Sequence, residues 1–145
     1  MTLTGTYSRS LDDKYRLAIP KRLREEFNGK DSTCLFIAPG TDQSLFLYAP
    51  QAFEELAKRL TVKPSSRVNV RNYLRMFYAR AEKVEIDNQG RIRIPDRLAE
   101  FAQLQREIML LGVQDHAEIW DRKLWQAFLE EHSVDFDALA EQAFD

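Results

Sequence analysis

The amino-acid sequence predicts an α+β fold, rich in β-strands, that is built from two tandem copies of one small unit. The first observation is a repeat: residues 12–20 recur 75 residues later as residues 87–95, with matching Asp, Arg, Ile and Pro. The second observation is that the same order of short apolar runs follows both segments. A unit of about 45 residues is close to the smallest size that forms its own core, so the two copies are expected to share one.

Each unit is predicted to begin with two strands joined by a polar turn. Residues 6–11 and 83–86 carry β-branched or large apolar side chains in partial alternation, which is typical of strands. An Asp-x-x-x turn follows each of them, and then a strand that starts at Arg16 or Arg91. Because proline cannot donate to a sheet ladder, Pro20 and Pro95 should end these strands and open a turn or a short helix over residues 21–27 and 96–101.

The remaining strands and the helices that follow them are predicted from apolar runs. Residues 34–38 and 108–111 are almost continuously apolar, as in buried strands, and residues 45–48 and 117–120 complete the two sets. Pro50 suits the first turn of a helix, whose apolar residues recur at helical spacing up to Leu60. Asp121 can cap another helix, with an apolar face made of Leu124, Trp125, Phe128 and Leu129.

Two further helices are expected outside the repeated strands. Residues 64–66, Pro-Ser-Ser, announce a helix over about residues 67–79, and the acidic end, residues 134–144, is predicted to form a short helix that frays. The predicted domain organisation is unit 1 at residues 5–48, linking helices at 49–80, unit 2 at 81–121, and a C-terminal helix with an acidic tail at 122–145. Three aromatic residues fit either the core or contacts between subunits, namely Trp120, Trp125 and Phe128.

The net charge of −2 hides an uneven distribution. Residues 1–30 carry +3, residues 31–105 carry +2 and residues 106–145 carry −7, so a basic front is compatible with nucleic-acid phosphates. No signal peptide and no 18-residue apolar stretch is visible, and a soluble, cytoplasmic protein without a membrane partner is expected. Cys34 is the only cysteine, which excludes an intrachain disulfide, and it is expected to be a small buried residue.

The repeated Asp-x-x-x-Arg segment is the main candidate for a functional site. Asp12 and Asp87 are predicted to form turns by accepting backbone N–H bonds, and Arg16 and Arg91 begin the strands that follow. Arginine presents a planar fork that fits phosphate or the edge of guanine. The alternative is that each aspartate only braces its hairpin through the arginine, and the residue types alone do not decide between the two.

Basic residues accumulate around both turns. The first turn has the larger group, so the first hairpin is predicted to be the better phosphate binder: Arg9, Lys14, Lys21, Arg22 and Arg24. The second turn offers Arg91, Arg93 and Arg97, among the acids Glu85, Asp87 and Asp96. Arg67, Arg71 and Arg75 should form a basic stripe on the linking helix. This stripe is a second candidate phosphate contact; the alternatives are a solvent-exposed face or a surface that pairs with acids of a neighbouring subunit.

Catalytic and metal sites are not predicted. His116 and His132 are far apart in sequence, and a single cysteine cannot complete the usual zinc sets. The five glycines are isolated, so no phosphate-cradling loop is present. A hydrolase that uses Asp12 or Asp13 would lack a partner base and an oxyanion loop. The chain is therefore predicted not to be an enzyme and to use no cofactor or small-molecule substrate.

These motifs resemble the bacterial MraZ family. The resemblance rests on residues 5–8, 11–14 and 16–20, and then on residues 77–81 and 86–95, and it covers nearly the entire chain. It implies an α+β, β-rich fold in which two tandem SpoVT/AbrB-like swapped-hairpin units form a pseudo-dimeric β-barrel with flanking helices. It also implies a cytoplasmic, nucleoid-associated regulator that assembles into ring-shaped homo-oligomers. Such a regulator binds short direct repeats in the promoter of the division and cell-wall gene cluster and represses its own operon.

The resemblance also assigns the residues that contact DNA. The family's DNA-contacting arginine matches Arg16, with Lys14 beside it, and its equivalent in the second unit matches Arg91. We predict that Arg9 and Arg22 complete this face. Where the family has glycine in the first motif, this chain has Tyr15, and a side chain resists positive φ in a tight turn. The first turn is therefore expected to adopt an ordinary conformation or to have an altered tip.

The sequence thus favours binding of double-stranded DNA, with a ring that presents several hairpin faces to successive promoter repeats and gains affinity by multivalency. The alternative is a structural or protein-binding oligomeric barrel without DNA binding, in which Asp12 and Arg16 are internal braces. The net acidity of the chain favours this alternative. Loss of DNA binding in Arg16→Ala, with an intact oligomer, would separate the two.

Overall fold

The structure, a computed structural model, describes residues 2–28, 33–61 and 67–145, which form eight strands and six helices. In chain order these are β1 (Thr6–Ser10), β2 (Arg16–Ala18), α1 (Lys21–Asn28), β3 (Cys34–Pro39), β4 (Leu45–Tyr48), α2 (Pro50–Thr61), α3 (Val68–Arg80), β5 (Glu82–Glu85), β6 (Arg91–Arg93), α4 (Asp96–Phe101), β7 (Glu107–Val113), β8 (His116–Asp121), α5 (Arg122–His132) and α6 (Phe136–Phe144). A short 3₁₀ helix, Ser133–Asp135, precedes α6. The α+β class is confirmed, and the predicted start signal at residues 64–66 lies outside the described residues.

The strands of the two repeats exchange partners. Six strands form an antiparallel sheet in the order β1-β7-β8-β4-β3-β5, and β2 pairs with β6 in a separate two-stranded ribbon. Replacing each strand by its equivalent in the other repeat, β1 by β5, β3 by β7 and β4 by β8, gives the same strand order read from the opposite edge of the sheet. The first strand of each repeat therefore pairs with the third strand of the other, which is the exchange that swapped hairpins require.

The strands do not close into the barrel that the resemblance implies. Among the described residues, the backbone pairing leaves β1 and β5 as the two edges of the six-stranded sheet, and the ribbon of β2 and β6 is a second sheet. β1 contacts β2, and β5 contacts β6, where each hairpin passes from one sheet to the other. The sheet stays open because the turns after β1 and β5 redirect the chain into the separate ribbon before a continuous ladder of strands can form.

Both repeats contribute to one core. Leu17 of β2 and Ile92 of β6 face each other across the ribbon and are buried, and Leu35 of β3 and Leu110 of β7 are fully buried in the sheet. Each such side chain stabilises the fold by roughly 1.5–3 kcal/mol relative to exposure. This single cluster confirms that the two copies share a core.

The helices lie on both halves of the sheet. α2 packs on β3 and β4, α3 packs on β3, and α5 packs on β7 and β8. Asp121 caps α5 as predicted, because its carboxylate accepts a hydrogen bond from the backbone N–H of Lys123 at 3.1 Å. The rings of Trp120, Trp125 and Phe128 pack on one another, with Trp120 buried and the other two half-buried. Cys34 in β3 is half-buried instead of buried.

Candidate nucleic-acid interface

The first turn is built around the carboxylate of Asp12. Its Oδ1 accepts hydrogen bonds from the backbone N–H of Lys14 at 2.9 Å and of Arg16 at 3.0 Å. Its Oδ2 accepts a hydrogen bond from Nε of Arg16 at 2.6 Å, which is also an ion pair. A charge-assisted bond of this kind fixes the direction in which the guanidinium points. Asp12 therefore forms the turn and also orients Arg16.

The second turn repeats this geometry. Oδ1 of Asp87 accepts hydrogen bonds from the backbone N–H of Gln89 at 2.8 Å and of Arg91 at 2.9 Å, and Oδ2 pairs with Nε of Arg91 at 3.0 Å. The side chain of Arg91 is 30% exposed and that of Arg16 is 37% exposed. The brace that the sequence offered as an alternative is thus present in both turns, and both arginines still reach the solvent.

The hydrogen bonds lower the pKa of both turn carboxyls. For Asp12 the backbone N–H of Arg16 has the largest effect, and together with the Arg16 side chain and the Lys14 N–H it lowers the pKa from 3.8 to about 2, against the opposing effect of desolvation. The backbone N–H of Arg91 lowers the pKa of Asp87 in the same way. Both carboxylates therefore stay charged at neutral pH, and both arginines stay oriented.

Tyr15 and Gly90 occupy equivalent places in the two turns, and both have positive φ, 57° and 77°. The expectation that Tyr15 imposes an ordinary conformation or an altered tip is wrong, because the first turn keeps the left-handed residue and the hydrogen bonds of the second. The left-handed region costs a non-glycine residue about 1–2 kcal/mol. Tyr15 is half-buried and packs against the core, which offsets this cost.

The two turns meet at the ribbon. β2 and β6 pair antiparallel, and the backbone bonds extend beyond them from Ile19 N–H to Gly90 O and from Ile94 N–H to Tyr15 O, both at 2.9 Å. Successive side chains of a strand point to opposite faces, and the buried residues are Leu17 and Ile92. The opposite face, which we call the ribbon face, therefore carries Arg16, Ala18, Arg91 and Arg93.

The ribbon face places two arginines directly opposite each other. Arg16 is paired in register with Arg93, and Ala18 with Arg91. Arg16 is held by Asp12, whereas Arg93 is exposed and has no ion-pair partner among the described residues. Sequence reasoning noted Arg93 near the second turn but did not include it in the site. The alternation with buried Ile92 was the signal that could have placed it beside Arg91.

The other predicted site residues are more scattered. Lys14 is exposed at the tip of the first turn, and Arg22 is exposed on α1. Arg9 lies on β1 in the six-stranded sheet, where its Nη1 donates to the backbone oxygen of Ser8 at 2.8 Å and its guanidinium lies 6.0 Å from the ring of Tyr7. The structure therefore brings Arg16, Arg91 and Lys14 to the ribbon and its turns, and leaves Arg9 on another sheet.

Arg24 and the linking-helix arginines have other surroundings. Arg24 is half-buried, its Nε donates to the backbone oxygen of Ile19 at 3.0 Å, and its guanidinium packs over Gly90. This arginine supports the second turn. Arg67, which precedes α3, and Arg75 on α3 are both exposed, and Nη1 of Arg75 donates to Oδ1 of Asn72 at 3.3 Å.

A second polar cluster surrounds His116 on β8. Its Nδ1 and Nε2 lie 2.8 Å from a carboxylate oxygen of Asp115 and 2.9 Å from one of Glu118. Burial lowers the pKa of His116, and the bonds to both carboxylates outweigh this effect, so the pKa is raised above 6.5. Phe46 and Tyr48 pack on the imidazole ring. Among the described residues, no group of three or more His, Cys, Asp or Glu side chains could hold a metal ion.

The fold and the site define a duplicated α+β protein in which the second strands of the two repeats pair in one arginine-bearing ribbon. The family model described as "MraZ protein, putative antitoxin-like" matches residues 2–76 and again residues 77–145. The chain is 39% identical over 141 residues to a protein named "Transcriptional regulator MraZ" from Moorella thermoacetica, covering 97% of this chain and 96% of that protein. The chain therefore belongs to the MraZ family. The name of this relative is that of a transcriptional regulator and not of an enzyme, in agreement with the sequence prediction.

Proposed function

We propose that the protein is a DNA-binding transcriptional regulator and that it contacts double-stranded DNA through the ribbon face. The observation that carries this proposal is the register of β2 and β6, which sets Arg16 opposite Arg93 with Arg91 on the same face. Like charges directly opposite each other destabilise a sheet. An anion that lies over them removes this cost, and DNA supplies regularly spaced anions.

The shape of the ribbon supports the same proposal. The major groove of B-DNA admits a two-stranded β-ribbon, and arginine can bind the O6 and N7 atoms of guanine with two hydrogen bonds. Arg16 and Arg91 are already oriented by Asp12 and Asp87, so less side-chain entropy is lost on binding. We assign base or phosphate contacts to Arg16, Arg91 and Arg93, and phosphate contacts to Lys14 and Arg22. Arg9 lies on β1 of the six-stranded sheet, outside the ribbon face, so we assign it no DNA contact through this face.

The rival function is a structural or protein-binding oligomer in which the Asp–Arg pairs are braces. Both braces are present, so this reading accounts for Arg16 and Arg91. It gives no role to Arg93, which adds a third positive charge to the ribbon face without a brace. The ribbon face is therefore better explained by an anionic partner than by hairpin stability alone.

The biological setting that we propose is the one that the resemblance to the MraZ family implies, and membership of the chain in that family supports it. We propose that the protein represses its own operon in the division and cell-wall gene cluster, that it binds short direct repeats in the promoter as a ring-shaped oligomer, and that it acts in the cytoplasm at the nucleoid. No helix in the described part of the chain is long and apolar enough to cross a membrane. The proposed domains remain residues 5–48 and 81–121 as a pseudo-dimer of swapped hairpins, with helical segments at 49–80 and 122–145.

The test is fluorescence anisotropy with a duplex from the promoter region of the protein's own operon and with a scrambled duplex. Measurements at several salt concentrations should show that the wild type prefers the native duplex and binds more weakly as salt rises. Arg16→Ala should weaken binding about tenfold or more. Arg59→Ala is the matched control, because Arg59 is an exposed arginine on α2 that pairs with Asp115.

Two results would overturn the proposal. The first is that the wild type binds neither duplex, even at low salt. The second is that Arg16→Ala and Arg59→Ala lower the affinity for the native duplex equally. Both variants remove one positive charge, so an equal effect would reflect net charge and not the ribbon face. Light scattering on the same samples establishes whether each variant keeps the oligomeric state of the wild type.

A further inference from the structure

α6 has an apolar stripe that nothing in the described chain buries. Its apolar residues fall at positions i, i+3, i+4, i+7 and i+8, which is one face of a helix: Phe136, Leu139, Ala140, Ala143 and Phe144. No residue of α6 is buried, and Phe136 is 65% and Phe144 91% exposed. An isolated helix of this length is only marginally stable in water. The stripe therefore calls for a complementary surface.

α3 presents such a surface on the side that faces away from the core. Phe77 is the buried residue of this helix, and the opposite side carries Val68, Asn72, Arg75, Met76 and Ala79 at helical spacing. Val68 is 58% and Met76 is 54% exposed. The helix contains no acidic residue, and Arg75 lies within this outward face. The α3 surface is thus apolar and basic.

The two surfaces are complementary in charge as well as in apolar character. Asp137 and Glu141 flank the stripe of α6, which contains no basic residue, and Asp135 precedes it. We propose that α6 of one copy docks on the outward face of α3 of a second copy of this chain. A lipid surface is a poor occupant for α6, because acidic flanks are repelled by anionic headgroups. Arg67 and Arg75 would then lie near acids of the neighbouring copy.

The positions of the two helices make this contact head-to-tail. α3 packs on β3, next to one edge of the six-stranded sheet, and α5, which leads into α6, packs on β7, next to the other edge. A contact between two different surfaces is a heterologous interface, which generates a closed ring when the rotation between copies permits. This inference deepens the self-assembly part of the proposed function and is independent of the ribbon face.

The test uses two variants that each remove one surface, Leu139→Asp on α6 and Met76→Asp on α3. Ala138→Asp is the matched control, because Ala138 is exposed on α6 but lies on the side away from the stripe. Sedimentation velocity should give the wild type and Ala138→Asp as the same multiple of the 17.0 kDa chain, and each of the two variants as single chains. An equimolar mixture of both variants should form particles of two chains and nothing larger, since each retains the surface that the other has had removed.

Several results would overturn the inference. A head-to-tail contact of α3 with α6 is contradicted if wild-type chains sediment as single chains, or if the two variants keep the wild-type mass. It is also contradicted if either variant forms dimers on its own, or if the mixture of both variants stays as single chains. Urea unfolding of each variant checks that the fold is retained. Charge exchange is a second test that leaves the apolar residues intact: Arg75→Glu should reduce assembly, and Glu141→Lys in the same chain should restore it.

Single-site DNA binding separates this inference from the proposed function. Single chains of Leu139→Asp keep the ribbon face, so they should bind a duplex with one repeat as the wild type does, and should lose the gain in affinity on a duplex with several repeats. If the wild type assembles through another surface, the proposed contact of α3 with α6 is refuted and the ribbon proposal is unaffected. Loss of all DNA binding by an intact ring would refute the ribbon proposal alone.

Discussion

Replacing Gly90 with alanine is expected to lower the free energy of unfolding by about 2–3 kcal/mol. Gly90 has a φ of 77°, a region in which a side chain costs about 1–2 kcal/mol. The new Cβ would also lie 2.8 Å from Cζ of Arg24, so the flexible guanidinium must move. Its hydrogen bond to the backbone oxygen of Ile19 would then be broken, at a cost of about 1 kcal/mol because the group is half-buried.

A double-mutant cycle measured by urea unfolding separates these two costs. In an Arg24→Ala background no guanidinium lies over the turn, so Gly90→Ala should cost only the backbone part, about 1–2 kcal/mol. The coupling energy between the two positions should therefore be about 1 kcal/mol. An equal cost of Gly90→Ala in both backgrounds would refute the role given to Arg24, and a cost near zero would refute the backbone argument as well.

Three further predictions concern orientation, pH and the core. Asp12→Asn should lower the ratio of affinities for native and scrambled duplexes in anisotropy titrations, because Arg16 loses the carboxylate that orients it. The pKa of His116 in the folded protein lies above 6.5, and the charged imidazole stabilises the fold below that pKa. Raising the pH through this pKa should therefore lower the free energy of unfolding. Urea unfolding across about pH 5–9 should show this decrease, and the His116→Gln variant should lack it. Leu17→Ala should cost about 2–5 kcal/mol in the same assay, whereas Ala18→Ser, on the exposed face, should change stability by less than about 0.5 kcal/mol.

The secondary structure could be predicted because its signals are local. Pro20 and Pro95 end the second strand of each repeat, and the aspartate turns precede those strands, so each boundary is set by neighbouring residues. The pairing of β1 with β7, and of β5 with β3, could not be predicted from the residues, because either repeat could pair its own strands with the same apolar pattern. Long-range packing decides between pairing within a repeat and pairing between repeats. Pairing between the repeats also brings Leu17 and Ile92 together in the shared core.

The candidate site was predicted in part. Arg16, Arg91 and their aspartates were found because the motif repeats in the sequence. The position of Arg93 opposite Arg16 depends on a strand pair between repeats, which no local pattern specifies. The interpretation of Tyr15 was wrong because it weighed only the backbone cost of positive φ. The equivalent of Arg24 in the second repeat is Ala99, so the first turn has no arginine of that kind over it, and a side chain can be accommodated there.

The most direct test of the ribbon face is the affinity of Arg93→Ala for the native promoter duplex as a function of salt. Arg93 has no brace among the described residues, so its removal leaves both Asp–Arg turns intact. We expect binding about tenfold weaker or more, and a slope of log affinity against log salt that falls by about 1 for each phosphate that the arginine no longer neutralises. An Arg93→Ala variant with wild-type affinity and salt slope would contradict the central claim that the ribbon face binds DNA.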